Sequence, residues 1–441
     1  MIGPKKHLSF TALRRKMSGF FQAIPERREG SKIKISIHDA LMSGFACMHF
    51  QEPSLLQFQR NLEEEHHCNN LKTLFGVEAI PKETQMREII DEIDSDYFGA
   101  IFKNYYLRLQ RGKHLEDYQI FPGLYYFPID GSEFFSSEEV HCEHCLTRTH
   151  RNGKKTYLHQ VLQGGMMHPD QSEVIPFMPE QISNEDGDEK QDCEMNAAKR
   201  YVKKLRAAHP QLGLIIGGDS LFSRQPLIEE ILREKAHYLF TAKSEDHKYL
   251  FEWIGAYKAL KNFSTVDKNG DRHDYEWMNQ VPLNGREDSI MVNFFRYQMV
   301  RVDDQGIEKV VYKSSWVTDL EISAENVKIL VRTGRCRWKG ENEVFNVMKN
   351  HGYYMDRNYG HGQKNLSFNF YLLTLLAFFF HQIFELTDKQ YQACRKKFGS
   401  KKHLWEKLRA YIEILIFETW ESLLEFAVSP KKGLVTWANA P

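Results

Sequence analysis

The sequence predicts an α/β protein in which helical regions stand before and after a sheet of mixed strand direction. Residues 35–120 carry apolar side chains at helical spacing, and residues 366–427 return to that spacing. Residues 124–245 instead contain short apolar runs bounded by glycine and proline, first as a three-strand meander and then as strand–helix alternation. A meander followed by such alternation favours a sheet with both parallel and antiparallel neighbours.

The N-terminal region begins with a basic arm. Residues 1–34 hold nine Lys and Arg residues against Glu26 and Glu29, although the whole 441-residue chain has a formal net charge of zero. Zero net charge argues against a general polyanion binder, yet a local basic arm can still contact phosphate. A solvated basic terminus explains the same charges equally well. The nine residues are Lys5, Lys6, Arg14, Arg15, Lys16, Arg27, Arg28, Lys32 and Lys34.

Individual elements follow from the same patterns. Proline is favoured just inside a helix start, so a helix is predicted from Pro53 onward. Turn residues at Asn269-Gly270 and Asn284-Gly285 divide residues 260–320 into short strands, which we interpret as an inserted all-β subdomain. The other predicted helices are 37–50, 85–93, 97–115, 193–208, 226–235, 323–331 and 338–349, the other strands are 155–167, 172–177 and 237–243, and the acidic stretch 182–190 is predicted as a loop.

Two of the predicted strands end in an aspartate. The aromatic run that starts at Leu124 ends at Asp130, and the run that starts at Leu212 ends at Asp219. A charge at the tip of a buried strand is costly unless something pairs with it, so two such tips indicate a shared cation site. Pro128 cannot donate a ladder hydrogen bond, and we expect an unpaired position or a bulge there.

Three meander strands followed by helix–strand–helix–strand is the layout of an RNase H-like domain, here with a β insertion. The helical regions then divide the chain into five parts. These are a helical N-terminal region (1–120), the first part of the RNase H-like domain (121–250), the β insertion (251–322), the second part of the RNase H-like domain (323–385) and a helical C-terminal region (386–441).

A third acid for the cation site is expected at Glu341. On a helix, Glu341 shares a face with Arg337, and Val344, Phe345 and Met348 form an apolar stripe that can pack on a sheet. Gly340 lowers helix propensity and allows close approach of backbone or nucleic acid. The alternative is an ordinary surface pair between Arg337 and Glu341.

These motifs resemble a DDE-type transposase of a bacterial insertion sequence, of the group with a β insertion between the second Asp and the Glu. The matching residues cover roughly 22–425. They include Ile24-Pro25-Glu26-Arg27-Arg28, Pro53-Ser54-Leu55-Leu56, Thr84-Gln85-Met86-Arg87, Ile129-Asp130-Gly131, His141-Cys142-Glu143-His144-Cys145, Tyr157-Leu158-His159, His168-Pro169-Asp170, Lys190-Gln191-Asp192-Cys193-Glu194, Gly218-Asp219-Ser220-Leu221, Arg337-Trp338-Lys339-Gly340-Glu341-Asn342-Glu343 and Gly360-His361-Gly362.

The resemblance implies that Asp130, Asp219 and Glu341 bind catalytic Mg²⁺, with Mn²⁺ as a substitute. It also implies that Arg337 and Lys349 contact DNA. The activity would be nicking at the ends of the element followed by strand transfer, the partner would be double-stranded DNA, and the protein would be a homodimer when assembled on it. Three positions depart from the family pattern: Gly334 replaces a Tyr, Gly340 an Ile and Met348 a Lys.

Two alternatives remain open at this point. A domesticated or decayed element would bind DNA without cutting it, and the departures at Gly334, Gly340 and Met348 keep this alternative open. An RNase H-fold nuclease would hydrolyse DNA without joining the ends. Trp277 and Trp316 lie in the predicted insertion, where a family member can stack an aromatic ring on a flipped base, but burial in the core is the more general role of Trp.

Cys142 and Cys145 form the one close pair among seven cysteines. This usage is not a disulfide framework and suits a reducing compartment. The pair could hold a structural zinc ion with two further ligands, for which His141, His144, His150, His159 and Cys193 are candidates. A loop with unpaired thiols is the alternative.

The run 366–386 is strongly apolar, but Asn369, His381 and Gln382 interrupt it. We therefore expect a buried core helix and not a membrane span. Lys and Arg break up the first residues, so no signal peptide is predicted, and the expected location is the bacterial cytoplasm with its nucleoid.

Overall fold

The computed structural model describes residues 6–30, 33–63, 69–183, 193–257, 260–302, 307–357, 359–430 and 436–437. Lys5 and Lys32 of the basic arm lie outside these ranges, and so does most of the predicted acidic loop, from residue 184 onward.

The N-terminal region is helical, as predicted. Ser36 caps the second helix, where its hydroxyl accepts the backbone N–H of Asp39. The helices are α1 (Phe10–Gln22), α2 (Ile37–His49), α3 (Leu55–Glu63), α4 (Glu83–Asp91) and α5 (Gly99–Arg111), with short helical turns at Lys6–Leu8, Leu71–Phe75, Ser95–Phe98 and Glu116–Tyr118.

The centre of the molecule is a mixed sheet, which confirms the predicted α/β class. Its strands are β1 (Gln119–Phe121), β2 (Leu124–Ser137), β3 (Leu146–Thr149), β4 (Lys155–Met166), β5 (Ile175–Pro176), β6 (Glu180–Ile182), β7 (Gly213–Gly218), β8 (His237–Thr241), β9 (Lys261–Val266), β10 (Arg272–Pro282), β11 (Met291–Val302) and β12 (Glu308–Thr318). Three helices lie between them: α6 (Glu194–Ala208), α7 (Gln225–Arg233) and α8 (Lys248–Tyr257).

The described strands form one 12-stranded sheet in the order β3-β4-β2-β7-β8-β12-β11-β10-β9, with β1 on β2 and with β5 and β6 on β4. The pairs β2–β7 and β7–β8 are parallel, and the others are antiparallel. The predicted insertion therefore extends the central sheet, because its last strand, β12, pairs with β8.

Pro128 lies where β2 changes its pairing. Residues up to Pro128 pair with β7, whereas the continuous ladder to β4 begins at Ile129, after a single bridge at Tyr126. The β2–β4 ladder of hydrogen bonds is therefore interrupted at Pro128, as expected for a residue with no backbone N–H.

The insertion packs against α9 (Val327–Arg335), which follows it. Gly334 lies so close to Trp316 that an added Cβ would stand 2.5 Å from the indole Nε1. The Arg335 guanidinium lies 4.4 Å from the centre of the Tyr312 ring. The indole therefore fills the space in which a larger side chain at position 334 would stand. Trp316 and Trp277 are 2% and 4% exposed, which confirms their interpretation as core residues.

The C-terminal helices pack against the N-terminal ones. Helix α11 (Leu366–Thr387) is long and apolar enough to cross a membrane, but 89% of its most apolar window is buried inside the protein. It packs on α2 and α4, as expected for a core helix. Between α9 and α11 lie a π-helical segment, Gly340–Phe345, and α10 (Asn346–Asn350); after α11 come α12 (Lys389–Phe398), α13 (Lys401–Ile414), β13 (Leu415–Ile416), α14 (Trp420–Val428) and β14 (Thr436–Trp437).

Some predicted boundaries were wrong. The strand predicted over 172–177 is reduced to β5, since the N–H of Val174 donates to the side chain of Gln382 on α11 and not to a neighbouring strand. The helix predicted over 323–331 begins at Val327 and continues to Arg335. Helix α8 was not predicted.

Candidate functional site

Asp130 and Asp219 come from neighbouring parallel strands. The last pair in the register of β2 and β7 joins Pro128 to Gly217; Asp130 lies two residues further within β2, and Asp219 follows the last residue of β7. The charge of Asp219 raises the pKa of Asp130, so the two acids are neighbours in space. The prediction that the first strand ends at Asp130 was wrong, because β2 continues to Ser137 along β4.

Asp219 is held by the turn that it opens. Its Oδ1 accepts the N–H of Leu221 at 2.9 Å. The next residue, Ser220, donates its hydroxyl to Asp246, and Ser223 lies 2.6 Å from the ring of His247. The turn after β7 is therefore fixed by the turn that precedes α8.

Glu341 approaches the same place from the π-helical segment. This segment begins at the buried Gly340, where an added Cβ would stand 3.4 Å from Met167. The charge of Glu341 acts on Asp130. π-Helical turns are rare and frequently mark functional sites, because the wider turn changes the direction of a side chain.

Arg337 forms its ion pair with Asp130, at 3.4 Å between Nη1 and Oδ2. The ion pair of Arg337 is therefore made with Asp130, and not with Glu341 as the alternative interpretation proposed. Burial raises the pKa of Asp130, the Arg337 charge opposes that rise, and the charges of Asp219 and Glu341 add to it.

A fourth carboxylate, Glu194, was not assigned a role from the sequence. It is the first residue of α6, and its Oε1 lies so close to Gly131 that an added Cβ there would stand 2.2 Å away. Burial raises the pKa of Glu194, and the charges of Asp130 and Asp219 raise it further. The signal in the sequence was the glycine after Asp130, which leaves room for another side chain.

The other predicted DNA contact, Lys349, is partly exposed on α10. Its neighbour Met348 is fully buried and belongs to the core. Lys339 is also buried, and its Nζ donates to the carbonyl oxygens of His168 at 2.8 Å and Pro169 at 3.2 Å. Lys339 thus anchors the turn after β4 beneath the π-helical segment.

A second cluster consists of Cys142, Cys145, His159 and His361, and it could hold a metal ion. The sulfur atoms are 3.9 Å apart, and Nε2 of His159 lies 3.7 Å and 3.4 Å from Cys142 and Cys145 respectively. His361 Nε2 lies 3.3 Å from the Cys145 sulfur and 3.0 Å from His159 Nε2. We call these four residues the Cys/His cluster.

Of the five suggested companions of the cysteine pair, His159 is the one found in the Cys/His cluster. His141 stacks on Tyr157, and His150 lies 2.7 Å from the hydroxyl of Thr156. His144 lies 3.6 Å from Glu143. Cys193 is exposed next to α6. His361 was not proposed as a ligand, although Gly360-His361-Gly362 is among the motifs on which the family resemblance rests.

A scan of the chain against models of known protein families finds no match, and a search of curated proteins finds no similar sequence. Two groups of side chains carry the chemistry: the carboxylate site, which consists of Asp130, Asp219, Glu341 and Glu194, and the Cys/His cluster.

Proposed function

We propose that the protein is a DDE-type transposase with an RNase H-like catalytic domain. The observation that carries the proposal is the parallel pairing of β2 with β7, which ends at Pro128 and Gly217, just before Asp130 and Asp219. The charges of Asp219 and Glu341 raise the pKa of Asp130, and those of Asp130 and Asp219 raise the pKa of Glu194. Two acids at adjacent parallel strands and a third on a following helix form the arrangement expected of this chemistry. The resemblance stated above supplies the reaction.

The carboxylates of Asp130, Asp219 and Glu341 suit hard cations such as Mg²⁺, which prefers oxygen ligands. Bound divalent ions would activate a water or a hydroxyl and neutralise charge on the leaving oxygen. Ions would also remove the repulsion that raises the pKa of Asp130 and Glu194. The donor set has the chemistry that the proposed cofactor needs, and binding would draw together oxygens that, among the described residues, do not form a group within 4.8 Å as the donor atoms of the Cys/His cluster do.

Arg337 orients the first of these acids through its ion pair with Asp130. A guanidinium also matches the geometry of a phosphate, so Arg337 lies where it could contact the scissile strand beside the carboxylates. In the proposed reaction, water attacks a phosphodiester of double-stranded DNA, and the P–O bond breaks to leave a free 3′-OH. The 3′-OH would then attack a second phosphodiester, on the opposite strand or in target DNA; a new P–O bond forms as the P–O3′ bond of that strand breaks, and its 3′-OH leaves with the proton lost by the attacking hydroxyl.

We propose Zn²⁺ as the ion of the Cys/His cluster. Two thiolates and two imidazoles are a common ligand set for structural zinc and a poor one for Mg²⁺. The cytoplasm of a bacterium, with pairs of subunits on the DNA, is the setting that we propose for the whole protein.

The proposal is tested with end-labelled DNA that carries the repeats flanking the gene. Wild type should nick this DNA in the presence of Mg²⁺ or Mn²⁺, and Asp219→Asn should bind it but lose nicking by about 10³-fold or more, as when a main charge-stabilising group is removed. Undiminished nicking by Asp219→Asn would reject the site.

The joining step is tested separately. Ends that have been cleaved in advance should be joined to target DNA by wild type. Hydrolysis without joining would indicate a nuclease of the same fold, and salt-dependent binding without cleavage in any divalent ion would indicate a protein that only holds DNA.

A further inference from the structure

The Cys/His cluster joins three parts of the chain that are far apart in sequence. Cys142 and Cys145 lie in the loop between β2 and β3, and His159 lies on β4. His361 lies 202 positions beyond His159, in the loop that leads into α11. An ion held by all four residues would cross-link the edge of the sheet to that loop.

The spacing of the four donor atoms fits a tetrahedral zinc ion. With bonds of about 2.3 Å to sulfur and about 2.0–2.1 Å to nitrogen, tetrahedral geometry separates two sulfurs by about 3.8 Å and two nitrogens by about 3.3 Å. The corresponding separations here are 3.9 Å and 3.0 Å, and the three sulfur–nitrogen separations given above are 3.3–3.7 Å. At 3.9 Å the sulfurs are too far apart for a disulfide, whose S–S bond is about 2.05 Å.

The orientation of His361 suits a ligand. Its Nδ1 lies 2.7 Å from the carbonyl oxygen of Gly362, so a proton on Nδ1 is donated to that carbonyl and Nε2 is left with its lone pair. Nε2 is the atom that faces the two sulfurs and His159. A backbone carbonyl that fixes the ring in this way is typical of metal-bound histidine.

The loop that carries His361 is held from the N-terminal helical region by Asp91, at the end of α4. Asp91 Oδ1 accepts the N–H groups of Lys364, Asn365 and Leu366 at 2.8–3.0 Å, and Oδ2 accepts that of Gln363 at 2.9 Å. Gly362 has a positive φ of 69°, and an added Cβ would stand 2.4 Å from Asp91 Oδ1. One carboxylate thus organises the backbone directly after the ligand.

We infer that Zn²⁺ bound by Cys142, Cys145, His159 and His361 is a structural clasp between the sheet and the N-terminal helical region, and that Asp91 is the positioning residue that makes His361 available. His159 pairs with Phe135 on β2, and Gln163, four residues further along β4, pairs with Asp130. Four residues of strand span about 13 Å, so the clasp lies that far from Asp130 along the antiparallel pair of β2 and β4.

The first experiment measures zinc in the purified full-length protein by elemental analysis, without DNA. Wild type should hold about one zinc per chain, and His361→Ala and Cys145→Ser should each lose it. His141→Ala and His144→Ala are the matched controls, since these rings are close in sequence but outside the cluster. Zinc-free wild type, or full zinc retention by His361→Ala, would overturn the inference.

Removal of a ligand could prevent folding, so a second measurement uses wild type alone. Reconstitution with Co²⁺ should give the visible absorption of a tetrahedral ion with two thiolates, and added Zn²⁺ should abolish it. An octahedral Co²⁺ spectrum would contradict the assignment.

The role of Asp91 is tested by competition with a chelator. Asp91→Ala should weaken zinc binding about 10–100-fold, as for other residues that orient a metal ligand. Its neighbour Glu92, which pairs with Lys364 at the surface, supplies the control: Glu92→Ala should leave zinc affinity unchanged. Equal zinc affinity in Asp91→Ala and wild type would show that the loop is positioned without this carboxylate. None of these measurements depends on DNA cleavage, so the clasp and the transposase proposal can fail independently.

Discussion

The carboxylate site and the Cys/His cluster both collect side chains from distant segments, but they differ in donor chemistry and in access. The carboxylate site uses oxygen donors, and Glu341 is exposed there. The Cys/His cluster uses sulfur and nitrogen donors, and three of its four residues are buried. An open oxygen site is suited to ions that must meet a substrate, whereas a closed sulfur–nitrogen site is suited to an ion that stays.

The two places also differ in how charge is balanced. Burial and mutual repulsion raise the pKa of Asp130 and Glu194, and a bound cation would relieve this repulsion. The Cys/His cluster already has its donor atoms at the separations of a tetrahedral ion. We therefore propose that the carboxylate site binds and releases ions, whereas the Cys/His cluster retains one.

The largest expected effect comes from chelation. EDTA should abolish DNA nicking, a loss of about 10³-fold or more, while the fold and the bound zinc remain, because the closed cluster exchanges its ion slowly. Nicking, zinc content and circular dichroism are measured on the same sample, and added Mg²⁺ should restore activity. Unfolding by EDTA, or activity that survives it, would break the distinction between the two sites.

Removal of the counter-charge should have the next largest effect. In Arg337→Ala, Asp130 loses the group that opposes the rise of its pKa, so nicking should fall about 10–100-fold and its pH dependence should move to higher pH. Arg337→Lys should retain part of the activity. A pH profile that does not move would mean that Arg337 acts on DNA alone.

Glu194→Gln should weaken divalent-ion binding about tenfold, in the range seen when groups around a metal site are removed. Because the folded-state pKa of Glu194 is raised, ionisation of this group costs folding stability, and that cost develops as pH rises through the carboxyl range. Glu194→Gln should therefore raise the Tm at neutral pH when no divalent ion is added. Glu133→Gln, on the same strand as Asp130 but paired with Arg148, is the control and should change neither ion binding nor Tm.

The smallest expected effect belongs to Lys349. If this side chain contacts one phosphate, Lys349→Ala should weaken DNA binding at all sequences and lower the slope of affinity against salt by about one. Binding of Mn²⁺ should not change. An unchanged salt slope would remove Lys349 from the set of DNA contacts.

The sequence predicted that Asp130 and Asp219 follow apolar strand residues, and the two strands are parallel neighbours. The end of the first strand was predicted wrongly, because β2 continues past Asp130 to Ser137 along β4, a pairing that the local pattern does not record. Glu194 was missed because its proximity to Asp130 depends on how α6 approaches Gly131, which no local spacing records. The sequence pattern of residues 193–208 predicted α6, but it did not show which residue of that helix would face the site.

In the Cys/His cluster, too, some residues were predicted from the sequence and one was missed. Cys142 and Cys145 were found because their spacing within one loop is short. His361 was missed because 202 positions separate it from His159, and the two meet only in the folded chain, where Asp91 holds the loop that carries His361. The inserted strands were predicted from turn residues. Their connection to the central sheet is the pairing of β12 with β8, which joins segments far apart in sequence. Hydrophobic periodicity and turn residues are local, so they could not predict that pairing.

The central claim is that Asp130, Asp219 and Glu341 form one divalent-ion site. The most direct measurement is the titration of Mn²⁺ into zinc-saturated wild type and into Asp219→Asn by calorimetry, without DNA. We predict binding by wild type that is lost or strongly weakened in Asp219→Asn, with an unchanged Tm or a higher one. Equal Mn²⁺ binding by the two proteins would contradict the account.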